Sequence, residues 1–169
     1  PTKECEEENK PNRKTSQLLR EIFLSNLKPD IILISSLFEG YIGDAVLSIQ
    51  EYKTKIPTVT ILYDLIPFIS PQKYLSHKPT SLWYYIKIDM LKKSNALLSI
   101  SNSAKKEAID YLNFNENSIT NISTAVDTTI FKKVEVPSSF KEKYNITKPF
   151  LMHTSAYDPR KNFIELIEA

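Results

Sequence analysis

Four short runs rich in apolar and β-branched residues, IILISS, TVTIL, ALLSI and SITNIS, alternate with stretches of helical periodicity. This alternation constrains the fold more than any other feature of the chain. Short strands with few polar positions are buried on both faces, the mark of parallel strands joined by crossover helices. Between residues 15 and 27, Leu18, Leu19, Ile22, Phe23 and Leu27 recur at helical spacing until Pro29 stops the pattern. GDAVLSIQEY reads as a second helix and TSLWYYIKIDMLKK as a third, with lysines in its last turn. In SAKKEAIDYL, Ala104, Ala108, Tyr111 and Leu112 share one helical face. The expected fold is therefore α/β, a Rossmann-like doubly wound parallel sheet whose ligands lie beyond the carboxyl ends of the strands.

The ends of the chain depart from this pattern. Residues 1–14 carry mixed charge, two prolines and almost nothing apolar, as a tail or linker would. The layer itself runs from residue 15 to about 133. Residues 134–148 read as a connection with a short helix near SSFKEKY. From 149 to 169, PFLMHT and NFIELIEA read as the first strand and helix of a second domain. The chain opens on Pro1 and stops at Ala169 inside an apolar-periodic run, so both ends read as cut.

Charge and cysteine content narrow the function classes. With 22 basic and 20 acidic residues mixed along 169 positions, the net charge of +2 provides no electrostatic footprint for nucleic acid. The longest apolar run, IPTVTILYDLIPFI, is broken by Asp64 and two prolines and falls short of the roughly 20 residues a membrane span needs. Cys5 alone allows neither an internal disulfide nor a thiolate cluster, which fits a reducing, cytoplasmic compartment. His77 and His153 stand apart without a second ligand at metal spacing, so no metal is expected. The sequons at Asn121 and Asn145 read as chance in an Asn-rich chain.

Four places put reactive side chains at strand ends. In DPRKNFIELIEA, Arg160 and Lys161 precede a helix start at which Asn162 reads as the N-cap, with Glu165 three residues on. Two cations there suit a diphosphate, although a solvated basic turn has the same sequence. TILYDLIPF delivers Tyr63 and Asp64 to the end of a strand, either as cleft groups or as a half-buried ring beside a turn cap. SSLFEGYIGDA holds the chain's only two glycines, Gly40 and Gly43, flanked by Glu39 and Asp44: a substrate loop or a plain one. Ser101 or Ser103 follows ALLSI and is expected to cap the next helix while facing the same cleft.

In order along the chain, PDIILISSLFEGYIGDAV, TVTILYDLIPF, WYYIKIDMLKKSNALLSISNSAKKEAI, NISTAVDTTIF and HTSAYDPRKNFIELIEA resemble the family-4 (GT-B) glycosyltransferases, especially bacterial mannosyltransferase-like members. The resemblance covers about residues 16–169. It implies an acceptor-side domain followed by the start of a donor domain. It also implies retaining transfer of a sugar, with mannose one candidate, from a GDP- or UDP-linked donor to a glycan or lipid-linked acceptor, without a metal. Arg160 and Lys161 match a D-x-R-K-N element that holds the donor diphosphate, with Asn162 completing it. Tyr63 and Asp64 match a segment that reads H-D-L-I-P in many members. Glu39, Gly40 and Asp44 match an acceptor-side loop, and Asp127 the V-D that ends the first domain.

Further expectations follow from that resemblance: peripheral association with the inner face of the membrane, and inactivity of the present chain by itself. Ser155 and Ala156 stand where close members of the family have Gly-Gly. This leaves a non-catalytic, glycosyltransferase-like binding module as the alternative. A dinucleotide-binding domain is disfavoured, since no strand is followed by a glycine-rich fingerprint.

Overall fold

The computed structural model describes residues 10–41, 45–52, 55–154 and 161–168. Cys5, Gly43, Asp44, Ser155, Ala156 and Arg160 lie outside the described residues. The elements run α1 (Lys10–Leu27), β1 (Ile32–Ile34), β2 (Thr58–Leu62), α2 (Ile66–Ile69), α3 (Pro71–Tyr74), α4 (Lys78–Leu91), β3 (Ala96–Ser99), α5 (Asn102–Leu112), a 3-10 turn (Glu116–Ser118) and β4 (Ile119–Asn121). Two short helices follow, α6 (Ser138–Lys143) and α7 (Phe163–Glu168). The chain divides into two compact units, Pro1–Ala125 and Val126–Ala169.

The first unit is the α/β layer expected. Its four strands lie in the order β1-β2-β3-β4 and every pair is parallel. The register aligns Ile34 with Thr60, Thr60 with Leu97 and Leu97 with Ile119, so one buried row crosses the whole sheet. Thr60 is the polar member of that row, and its hydroxyl shares a 2.8 Å hydrogen bond with Ser94 Oγ. Asn95 ties the start of β3 to β2 by donating its backbone N–H to the Thr58 carbonyl at 2.8 Å. Its side-chain oxygen accepts the Thr58 N–H at 2.9 Å. The core is completed by Tyr84, Ile88 and Leu91 of α4, spaced i, i+4, i+7, and Ala104, Ala108 and Leu112 of α5, spaced i, i+4, i+8, each a buried helical face. Alanines at two of the three α5 positions permit close approach of that helix.

Two segments differ from expectation for one physical reason. GDAVLSIQEY does not form a helix: residues 45–52 are irregular, and Gln50 sits at φ +49°. An irregular segment whose middle, Ser48 and Ile49, is buried must find partners for its backbone groups elsewhere. Helix α1 supplies them. Glu21 accepts the backbone N–H groups of Glu51 and Tyr52, both at 3.0 Å. Gln17 Nε2 donates to the Leu47 carbonyl at 3.1 Å, and Arg20 donates to the Ser48 carbonyl at 2.9 Å. The inward face of α1 is thus polar, with Gln17 and Glu21 buried. Its apolar stripe, Leu18, Leu19, Ile22, Phe23 and Leu27, is 39–62% exposed. The helix also starts at Lys10, inside the stretch expected to be a tail.

In the second unit, PFLMHT forms no strand, and Leu151 and Met152 are exposed. A strand needs a ladder partner for its N–H and C=O groups, and a single βα unit offers none. Both helices here are six residues long, and Phe140 packs on Tyr144 with ring centroids 4.7 Å apart. Among the described residues no helix is long and apolar enough to cross a membrane.

Removing the buried carboxylate that holds residues 51 and 52 strands two backbone donors. Glu21→Ala is expected to cost about 2 kcal/mol, and Glu21→Gln, with one acceptor oxygen left, about half as much, both measured by urea unfolding.

Candidate functional site

Parallel pairing puts the carboxyl ends of all four strands on one edge, and the loops leaving that edge carry the sequence candidates of the first unit. Strand β2 ends at Leu62 and delivers Tyr63, which is exposed, and Asp64, which is half-buried. One Asp64 oxygen accepts the Ile66 N–H at 3.0 Å and so starts the short helix α2, where Pro67 needs no donor. Among the described residues the other oxygen has no hydrogen-bond partner. The preceding N–H, that of fully buried Leu65, is taken by Glu107 Oε2 at 2.8 Å.

Helix α4 lies beside both loops. Phe38, in the loop after β1, stacks on Tyr84 at 5.0 Å, and Phe68 of α2 meets Tyr85 edge-on at 6.0 Å. The Tyr84 hydroxyl is buried and makes no hydrogen bond. Burial pushes its ionisation well up, the nearby Asp64 carboxylate adds to the shift, and the Phe68 backbone opposes it from outside hydrogen-bonding geometry. One turn further, Lys87 is only 5% exposed. Burial lowers its ammonium to about 8, Arg13 adds repulsion, and Glu39 partly offsets both. The ammonium lies 5.7 Å from the centroid of the Trp83 ring, where the π face compensates part of its lost hydration.

The loop after β1 is held at several points. Glu39 accepts from Ser36 Oγ at 2.8 Å and remains exposed. Gly40 has φ +87°, and an added Cβ would come within 2.4 Å of the Ala45 carbonyl oxygen, so conformation and space both demand glycine. Tyr41 packs on Trp83 at 5.4 Å, and its hydroxyl accepts from Thr80 Oγ1 at 3.1 Å. At β3 the chain passes from buried Ser99 to Ser101, which caps α5: its Oγ accepts the Ala104 N–H at 3.1 Å. Asn121, closing β4, donates to the Asn102 side chain at 2.7 Å and joins the fourth strand end to the same helix.

The remaining candidates belong to the second unit. Asp127 is exposed, and its Oδ1 accepts from both the N–H and the hydroxyl of Thr129, at 2.8 and 2.6 Å. Those bonds hold its carboxyl below the ordinary range. Lys161 is exposed. Asn162 adopts φ +51°, and its side-chain amide donates to the Glu165 carboxylate, a side-chain pair rather than the side chain-to-backbone bonds of a capping box. Asp44 and Arg160 fall outside the described residues, and among those described no group of three His, Cys, Asp or Glu side chains could hold a metal.

Sequence reading did not single out Glu107, Tyr84 or Lys87. Glu107 and Lys87 sit in charge-bearing helices where a solvated face is the default, and Tyr84 sits in an aromatic run. The one available signal was helical phase: Lys87 falls three residues after Tyr84 and four before Leu91, on the buried stripe.

No protein-family model and no solved structure matches the chain. It is 32% identical over 165 residues to a serotype-specific mannosyltransferase WbdA of Escherichia coli, a match covering 96% of this chain and 20% of the relative. Another protein of the same name and organism is 31% identical over 172 positions, covering 100% of this chain and 21% of the relative. The chain therefore spans about a fifth of the length of these curated relatives.

Lys87 makes stability depend on pH. Its folded-state value of about 8 lies below the unfolded 10.5, so the unfolded chain holds the extra proton between them and stability rises with pH across that window. Lys87→Met is expected to abolish the rise and to stabilise the fold at neutral pH by on the order of 1 kcal/mol after solvent screening, read from unfolding midpoints at pH 7 and pH 10.

Proposed function

We propose that this chain is part of a family-4, GT-B glycosyltransferase that moves mannose from a nucleotide-linked donor to a glycan or lipid-linked acceptor with retention. The observation that carries the proposal is similarity to serotype-specific mannosyltransferases along essentially the whole chain.

In such a transfer the bond from the anomeric carbon to the diphosphate breaks, and negative charge grows on the leaving oxygens. Arg160 and Lys161 offset that charge, and Asn162 adds a neutral donor, so no metal ion is required. On the acceptor side, Asp64 presents its unoccupied oxygen to a sugar or acceptor hydroxyl, and exposed Tyr63 offers a neutral hydroxyl beside it. Unlike histidine, that phenol does not change charge near neutral pH. Glu39, Gly40 and Asp44 form the acceptor loop, with Ser101 and Asp127 as further polar groups. The protein works in the cytoplasm, at the membrane face where a lipid-linked acceptor is found.

A non-catalytic binding module is the second reading, favoured by Ser155 and Ala156, whose side chains keep the backbone further from a phosphate than glycines would.

Calorimetric titration of the full-length protein with GDP and UDP tests the donor site. The unmodified protein is expected to bind one of them. The Arg160→Ala/Lys161→Ala variant is expected to bind at least roughly tenfold more weakly, as the loss of a charged hydrogen bond implies. Absence of binding, or equal binding by the variant, removes the assignment.

A further inference from the structure

We propose that Glu107 is a positioning residue for Asp64, holding the turn after β2 so that the unoccupied Asp64 oxygen keeps a fixed direction at the carboxyl edge of the sheet. The inference rests on the transfer reading above and deepens it.

Two consecutive N–H groups follow Asp64, and each is taken by a carboxylate. Ile66 donates to Asp64 itself at 3.0 Å, a bond local to the turn. Leu65 donates to Glu107 at 2.8 Å across 42 residues, a bond that ties the turn to α5. The first is internal to the turn and ties it to no other element. Adding the second fixes its orientation against a helix whose own start is capped by Ser101 and whose Ala104, Ala108 and Leu112 are buried in the core. Leu65 is fully buried, so water cannot replace the missing acceptor. The Tyr84 hydroxyl lies within electrostatic reach of both carboxylates and is unpaired. Burial holds that phenol neutral, so it adds no charge beside the turn. Ser103 reaches Glu107 only at 3.4 Å and adds little to its placement.

The test is steady-state mannose transfer by the full-length protein and its variants. Glu107→Ala is expected to lower kcat roughly 10- to 100-fold, the scale of a misplacement near 1 Å, with the donor KM within about twofold. Glu107→Gln, which keeps an acceptor oxygen for the Leu65 N–H, is expected to recover most of kcat. Because Glu107 acts through Asp64, the Asp64→Asn/Glu107→Ala double variant should be no slower than Asp64→Asn. Should Glu107→Ala fail to fold, Glu107→Asp carries the comparison, since one methylene less withdraws the carboxylate from Leu65. An unchanged kcat in Glu107→Ala, a Gln variant as slow as Ala, or losses that multiply in the double variant would each overturn the positioning role while leaving the transfer reading intact. No transfer by the unmodified protein, or full activity in Asp64→Asn, would instead remove the transfer reading or the role of Asp64, and this inference with it.

Discussion

Parallel pairing of four short strands is the constraint from which the rest of the first unit follows. A parallel neighbour requires the chain to return to the same end before each strand, so every strand leaves by the same edge. Three of those exits carry Glu39 and Gly40, Tyr63 and Asp64, and Ser101, residues separated by as many as 62 positions yet delivered to one rim. The register that aligns Ile34, Thr60, Leu97 and Ile119 fixes how far each strand projects, and so the level at which each loop begins. A one-residue slip would exchange the buried and outward rows. The Asn95 side chain, bonded to Thr58 and also accepting from Gln50 at 2.7 Å, opposes such a slip at the other end of the sheet.

Much of this architecture was legible because it rests on local pattern. TVTIL is β2 residue for residue, and ALLSI and SITNIS contain β3 and β4. The helices from TSLWYYIKIDMLKK and SAKKEAIDYL appear with shifts of a few residues at their ends. GDAVLSIQEY was misread for a reason no local pattern reveals. Its helical form would satisfy its own backbone, but Glu21, Gln17 and Arg20 satisfy it from outside, across about 30 positions. Once those polar side chains turn inward, helical geometry carries Leu19 and Phe23 outward.

The candidate site divides along the same line. Gly40 and the Ser101 cap were legible from residue type alone, because a left-handed loop position and a helix start each select a short list of residues. The short helices α2 and α3 were not, since IPFI and PQKY are too brief to show a period. Glu107 was invisible because its role depends on a long-range backbone donor, and a glutamate among lysines on a helix looks solvated until the fold places Leu65 opposite it.

Helix α4 adds something that neither loop could supply. Tyr84 and Lys87 stand three residues apart on one buried face, so two acidic groups on adjacent loops meet different environments from a single element. Asp64 lies near a phenol that stays neutral throughout the physiological range. Glu39 lies near an ammonium that begins to discharge around pH 8, so the field it feels weakens as pH rises. One element thus sets a neutral phenol beside one loop and a titrating ammonium beside the other. Burial accounts for both, because desolvating a lysine moves its titration toward neutrality while desolvating a tyrosine moves its titration away.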